Sequence, residues 1–216
     1  MNKFYLIMTL LLLTLITPLW GQSDVPAKIT LPEPRTSGGM PLMDALNARH
    51  TARDFSNRAL DQQMLSDLLW AAFGVNRKES GKRTAPSAMN RQEITLYVSL
   101  KEGVFTYNAE ENALDLVMSG DFRSQMGKQA FVGEAPVVLT YVADLSKFTN
   151  LSKEDKDMYS GSDAAFISQN VYLFCASEGL STVVLGSIDR EQIVKTLKLS
   201  KDQRPAWSQC VGYPSE

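Results

Sequence analysis

A single α+β domain, its sheet covered by helices, is the fold class that the sequence predicts. Three observations carry it. Pro136–Ala143 is an almost wholly apolar, β-branched run, as a strand buried on both faces requires. Runs with helical periodicity, two of them opened by a capping aspartate, alternate with strand-like runs. Neither an internal repeat nor a linker interrupts residues 42–214.

The elements follow in chain order. Val25–Pro41 holds Pro26, Pro32, Pro34, Pro41 and the Gly38–Gly39 pair, so an extended lead-in without helix is expected. Leu42–Arg49 suits a short helix with Leu42, Met43 and Leu46 on one side. Asp61 is a good N-cap for the run Met64, Leu65, Leu68, Leu69 and Ala72, and Gly74 ends it. Asn76–Thr84, basic and glycine-containing, is expected to be a loop. Strands are expected at Ile94–Leu100, Val104–Tyr107 and Ala113–Met118, with a turn at Glu102–Gly103. Phe122–Val132 is expected to be helical, and Pro136–Ala143 to be the central strand. Ser162 or Asp163 can cap a helix over Ala164–Glu178. Its apolar residues cover most of its faces, which suits a central buried helix or an interface helix. Gly179 stops it. Thr182–Leu185 is a short strand, Asp189 caps a last helix through Leu197, and Ala206–Tyr213 is a final strand.

Composition narrows the chemistry. Of 216 residues, 44% are apolar and 21% charged, which excludes wholesale disorder. His50 is the one histidine, and Cys175 and Cys210 are the only cysteines, so a multi-histidine or four-thiolate zinc site is excluded. Any Ser-His or Cys-His enzyme would have to use His50. A formal charge of −2 argues against a nucleic-acid binder, which needs a basic face.

Residues 1–21 have the pattern of an export signal. Lys3 supplies a positive start, Phe4 to Trp20 carries no charge, Pro18 breaks the run, and Gly21 is a small residue at the expected cleavage point. An uncleaved anchor is the other reading, although 17 uncharged residues fall short of the roughly 20 that span a bilayer. Either reading places the domain outside the cytoplasm, and a periplasmic location is expected. The organisation is then a signal at 1–21, a lead-in at 22–41 and a domain at 42–216. Export favours pairing of Cys175 with Cys210, whereas their apolar surroundings favour two buried free thiols.

Three clusters carry the candidate chemistry. Arg49, His50, Thr51 and Arg53 put two guanidiniums and a hydroxyl within five residues, a set that suits a phosphate dianion. Taken by itself, an arginine pair at i and i+4 suits a solvated helix face as readily. In Arg83–Gln92, small residues around Pro86 let a backbone approach a flat ligand, with Ser87, Asn90 and Gln92 as hydrogen-bonding groups. A polar connection between helix and strand would look the same. Val183–Asp189 ends a strand in Gly186–Ser187 just before a helix cap, which either frees backbone amides for a ligand or makes an ordinary turn.

The order and spacing of these clusters resemble the nitroreductase family of flavin enzymes, in particular its SagB-type oxidase branch. The residues concerned are Pro41–Leu42, Arg49 to Phe55, Leu68–Ala72, Arg83 to Ala88, Glu134–Val138, Gln169–Asn170, Leu185–Gly186, Asp189–Arg190 and Val211–Pro214. They run from about Leu31 to Pro214. The resemblance implies a nitroreductase-like fold with a mostly antiparallel central sheet, an FMN cofactor and a homodimer with FMN at its interface. By position it implies that Arg49, His50, Thr51 and Arg53 lie at the phosphate and ribityl chain. Pro86, Ser87, Ala88, Asn90 and Gln92 would reach the flavin of the other subunit. Gln129 would lie near the pyrimidine edge, and Leu185, Gly186 and Ser187 would face N5 and O4. Two departures are visible. Members usually continue past Gly-Tyr-Pro to a further basic residue, which would leave Lys82 or Arg83 as a replacement here. Asn90–Arg91–Gln92 has the ordinary nitroreductase form, which, with export, counts against oxidation of a peptide heterocycle. The expected activity is transfer of hydride or electrons through flavin N5 to a small acceptor such as a nitroaromatic or quinone, or an oxidase reaction, with no catalytic side chain. Nicotinamide, oxygen and a partner protein stand as alternatives for the electron traffic. A protein of this fold that binds flavin without turnover is the rival reading.

Overall fold

The computed structural model describes residues 25–215; the segment 1–21 and Glu216 lie outside them. Seven strands form one sheet: β1 (Lys28–Thr30), β4 (Ile94–Ser99), β5 (Gly103–Asn108), β6 (Ala113–Ser119), β7 (Val137–Asp144), β8 (Ser181–Leu185) and β9 (Gln203–Gly212). Their order is β1-β6-β5-β4-β7-β9-β8, and every pair is antiparallel. Four α-helices accompany the sheet: α1 (Leu42–Ala48), α2 (Gln62–Phe73), α3 (Lys153–Glu178) and α4 (Arg190–Leu197). The expected α+β class with a mostly antiparallel sheet is the one observed.

β7 shows why the sheet is covered on both faces. Side chains alternate along a strand, so Val137, Leu139, Tyr141 and Ala143 enter one core while Val138 and Val142 enter the other. The first core is closed by Leu65, Leu68, Leu69 and Ala72 of α2 and by Ile167, Val171 and Cys175 of α3. The second is closed by Ile193 and Leu197 of α4 and by Met126 and Val132. Cys210 of β9 belongs to this second core, so the sheet itself separates it from Cys175, and both thiols are free and buried. Burial pushes the Cys210 thiol up to about 12.

Asp61 caps α2 by accepting from Met64 N at 2.8 Å, and Asp189 caps α4 by accepting from Gln192 N at 3.0 Å. The lead-in is extended and without helix, as expected, and part of it pairs with β6 as the strand β1. Four expectations are corrected. The Asn76–Thr84 segment is a hairpin, β2 (Val75–Arg77) with β3 (Lys82–Arg83), turning through Gly81 at φ 61°. Phe122–Val132 is two 3₁₀ turns, Arg123–Met126 and Ala130–Gly133, broken at Gly127, where a Cβ would lie 2.8 Å from Leu185 Cδ1. That close approach to β8 leaves no room for a continuous helix.

The third correction concerns α3. It begins at Lys153, and neither Ser162 nor Asp163 caps it; Ser152 does, through Asp155 N at 3.0 Å. Its first ten residues are too polar to show a buried stripe, yet Glu154 and Asp155 suit the positive end of a helix. Gly179, at φ 68°, ends it as expected. The fourth is the last strand, which starts earlier, at Gln203, with a bulge at Ala206 between the Tyr141–Trp207 and Val142–Pro205 pairs.

A buried polar chain links β7, β9 and β8 within the sheet beneath α3. Tyr141 Oη donates to Gln209 Oε1 at 2.5 Å, and Gln209 Nε2 donates to Thr182 Oγ1 at 3.0 Å. Thr182 Oγ1 donates to Cys210 O at 2.8 Å. Tyr141→Phe leaves the Gln209 oxygen buried without its donor and is expected to destabilise the fold by about 1–3 kcal/mol, read as a lower urea midpoint with an unchanged slope.

Candidate functional site

The chain leaves α1 extended at Arg49 (φ −57°, ψ 120°), so Arg49 and Arg53 do not share a helix face. Ala52 N donates to Thr182 O at 3.0 Å, which lays this segment beside the edge strand β8. Tyr172 of α3 fixes it there. Thr51 Oγ1 lies 3.1 Å from Tyr172 Oη, and the same oxygen accepts from Val184 N at 3.0 Å. The Arg49 guanidinium lies over the Tyr172 ring, 5.4 Å from its centre. Neither Arg49 nor Arg53 has an acidic partner among the described residues. His50 is exposed, its Nδ1 2.9 Å from Ala48 O. Two uncompensated guanidiniums and a hydroxyl at a rigid strand edge can take a dianion.

The end of β8 adjoins this cradle. Leu185 is buried, whereas Gly186 and Ser187 are exposed beyond the last ladder pair. A Cβ on Gly186 would lie 3.2 Å from the Trp207 ring, so the backbone there rests on the indole. The turn that carries Gln129 meets the same strand end, because Gly127 contacts Leu185. Gln129 Oε1 is buried with no donor on it among the described residues, an acceptor that a ligand N–H would satisfy.

The Pro86–Gln92 segment is held elsewhere. Ala88 N donates to Asp163 Oδ2 of α3 at 2.8 Å, and Gln92 N donates to Ser87 Oγ at 3.0 Å. The Gln92 side chain is engaged within its own chain: Oε1 accepts from Arg83 Nε at 2.8 Å and Nε2 donates to Gly81 O at 3.0 Å. Arg83 is thereby committed to Gln92 and to Phe73 O, while the ammonium of Lys82 stays exposed. Met89, Asn90 and Gln92 have positive φ (52°, 53° and 47°), so this network maintains a strained turn that presents Pro86, Met89 and Asn90 to solvent.

Asp163 and Tyr172 are nine residues apart, about two and a half turns, which puts them on opposite faces of α3 and roughly 13–14 Å apart along its axis. The structure therefore brings Arg49, His50, Thr51, Arg53, Gln129 and Leu185–Ser187 towards β8. It leaves Pro86, Ser87, Ala88, Asn90 and Gln92 on the far side of the helix. A cavity of about 430 Å³ between the lead-in, α2 and α3, lined by Gly39, Trp70 and Phe174 among others, includes none of these residues.

Tyr172 and Asp163 escape a reading of the sequence, because each acts through the phase of a helix on a segment distant in the chain. The hint available was a hydroxyl and a carboxylate within an otherwise apolar run. An apolar surface is also exposed: Leu42, Met43 and Leu46 on α1, and Phe166 on α3.

The nitroreductase family model matches residues 46–213. The chain belongs to the nitroreductase family. A family protein of Methanocaldococcus jannaschii is 29% identical over 170 residues, which are 74% of this chain and 85% of that protein. A nitroreductase-family crystal structure from Ralstonia eutropha JMP134 has 39% identity and a TM-score of 0.85, covering 88% of this chain and 91% of that one. A chain of the E. coli microcin synthetase McbBCD complex shares the fold at a TM-score of 0.67 and 19% identity, covering 86% and 78%. This nitroreductase-family chain is accordingly an oxidoreductase enzyme, which answers the reading of a binder without turnover. Its candidate site depends on Tyr172. Tyr172→Phe is expected to lower unfolding stability by about 1 kcal/mol or more, because Val184 N–H and Thr51 lose their partner; a denaturant titration measures it.

Proposed function

We propose that the protein is an exported, FMN-dependent oxidoreductase that acts as a homodimer on a small acceptor such as a nitroaromatic or quinone. The observation that carries this reading is the pair of uncompensated arginines held with Thr51 at the edge of β8. Arg49 and Arg53 would bind the FMN phosphate through charge-assisted hydrogen bonds, and Thr51 would add its hydroxyl. Gln129 Oε1, buried without a donor, suits the imide N–H of an isoalloxazine. Gly186 and Ser187 would present backbone to the ring edge, with Trp207 fixing the level of that backbone. When bound, FMN would supply the two-electron chemistry that no side chain here provides. The protein's own part is to hold the ring, shield one face and leave the other open to the acceptor.

The separation of the two site segments across α3 supports a site shared between subunits. One protomer would contribute Arg49–Arg53 and Leu185–Ser187, the other Pro86–Gln92. The exposed side chains of Leu42, Met43, Leu46 and Phe166 supply an apolar surface for such a dimer, each stabilising it by about 1.5–3 kcal/mol if fully buried. Export rests on the pattern of residues 1–21.

Two variants separate the parts of this reading. Arg49→Ala with Arg53→Ala is expected to weaken FMN binding by roughly 100-fold or more while the protein stays folded and dimeric. Unchanged FMN affinity in a titration would reject the phosphate assignment. Phe166→Glu with Met43→Glu is expected to give monomers in sedimentation that no longer retain FMN. A monomer that keeps the flavin would exclude the shared site.

A further inference from the structure

Glu93, immediately before β4, is completely buried, and neither of its carboxylate oxygens has a donor among the described residues. Its backbone oxygen accepts from Asp144 N at 3.0 Å, which pins it where β4 begins beside the end of β7. Its carboxyl group faces that of Asp163, which is also buried and holds the Ala88 amide at 2.8 Å. Burial, and then the Asp163 carboxyl beside it, push Glu93 up to about 7. Asp163 is raised too, by burial, with its hydrogen bonds from Ala88 and Glu93 working against that.

Two facing carboxylates in a buried site cannot both carry charge cheaply. One shared proton removes a charge and makes a short O–H···O⁻ bond. The location of the proton follows from the partners. Asp163 already accepts an N–H, which favours its ionised form, whereas Glu93 accepts nothing at its carboxyl group. The other charged groups around the pair are accounted for. Lys147, in the turn after β7, donates to Gln92 O at 2.8 Å and opposes the rise of Glu93. Arg83 of β3 is committed to Gln92 Oε1, Asp144 to Ser146, and Arg91 precedes Gln92 in the chain.

We propose that Glu93 is a positioning residue: held in its acid form, it donates a hydrogen bond to Asp163, and this acid–carboxylate latch sets the Pro86–Gln92 segment in the shape that meets the flavin of the partner subunit. The flavin part of this inference rests on the function proposed above; the latch itself does not. Loss of the proton sets two carboxylates against each other and loosens the hold of Asp163 on Ala88.

The sign of the pH effect follows. The native state keeps a proton that the unfolded state releases near the ordinary glutamate range. The stability contributed is therefore full below that range and is lost as pH rises through about 7. Glu93→Gln keeps a donor to Asp163 and cannot titrate. Wild-type protein, Glu93→Gln and Glu93→Ala are compared from pH 5 to 8.5 by urea unfolding, by the protection factor of the Ala88 amide in hydrogen exchange, and by FMN titration. The expected result is that wild-type stability and Ala88 protection fall across this range relative to Glu93→Gln. Wild-type FMN affinity should fall by about fivefold more than that of Glu93→Gln. Glu93→Ala should lack Ala88 protection at every pH, and Glu93→Gln should restore it. Parallel pH profiles for wild type and Glu93→Gln would overturn the latch, as would full Ala88 protection in Glu93→Ala. If no variant binds FMN at any pH, the flavin reading fails, and the first two measurements still decide the latch.

Discussion

Both candidate segments of this molecule are referred to one helix packed against the sheet. α3 lies against the sheet along Ile167, Val171 and Cys175, and the chain Tyr141–Gln209–Thr182 fixes the sheet beneath it. Two side chains of this helix then hold the two segments that carry the candidate chemistry. Tyr172 holds the arginine segment and the end of β8, and Asp163 holds the Pro86–Gln92 turn. Arg49–Arg53 lies outside any helix or strand and Pro86–Gln92 holds only a single 3₁₀ turn, so neither has a ladder of its own to set its shape. Their relative position is inherited from the spacing of Tyr172 and Asp163 on a rigid rod.

The two holds differ in electrostatic character. The arginine segment keeps its charges uncompensated at a solvent-facing edge, where they are ready for an anion. The turn is set by a carboxylate in the interior, where an uncompensated charge would be costly. Tyr172 does its work as a hydroxyl that bridges Thr51 and the amide of Val184. Asp163 can do its work only beside a neutral neighbour, and Glu93 is the group placed to be that neighbour.

Much of this was legible in the sequence, for physical reasons that differ by element. β7 showed itself because burial on both faces demands a continuous β-branched run. The caps at Asp61 and Asp189 showed themselves because the bond they accept is three residues away. The arginine and Gly186–Ser187 segments stood out as local clusters of residue types. The first ten residues of α3 were hidden because their helicity comes from capping and charge placement at an exposed end, with no apolar stripe to mark them. Phe122–Val132 had apolar residues at helical spacing, yet Met126 and Val132 reach the same core from two short turns. Glu93 gave no sign, since a carboxylate at the start of a strand is ordinarily solvated. Its burial depends on α3 arriving from seventy residues later.

The exposed apolar residues make the last link between fold and function. α1 buries only Ala45 against its own chain and turns Leu42, Met43 and Leu46 outward, which is a poor arrangement for a helix that ends alone in water. The same helix delivers Arg49, so whatever covers its outer face also orders the approach to the arginine segment. A second copy of the chain, as proposed above, would satisfy both demands at once. It would cover α1 and Phe166, and would bring a Pro86–Gln92 turn that its own α3 keeps away from its own arginine segment. On this reading, assembly and completion of the site are one event, and the surface that looks unfinished in the protomer is the part of the fold that forces the site to be shared.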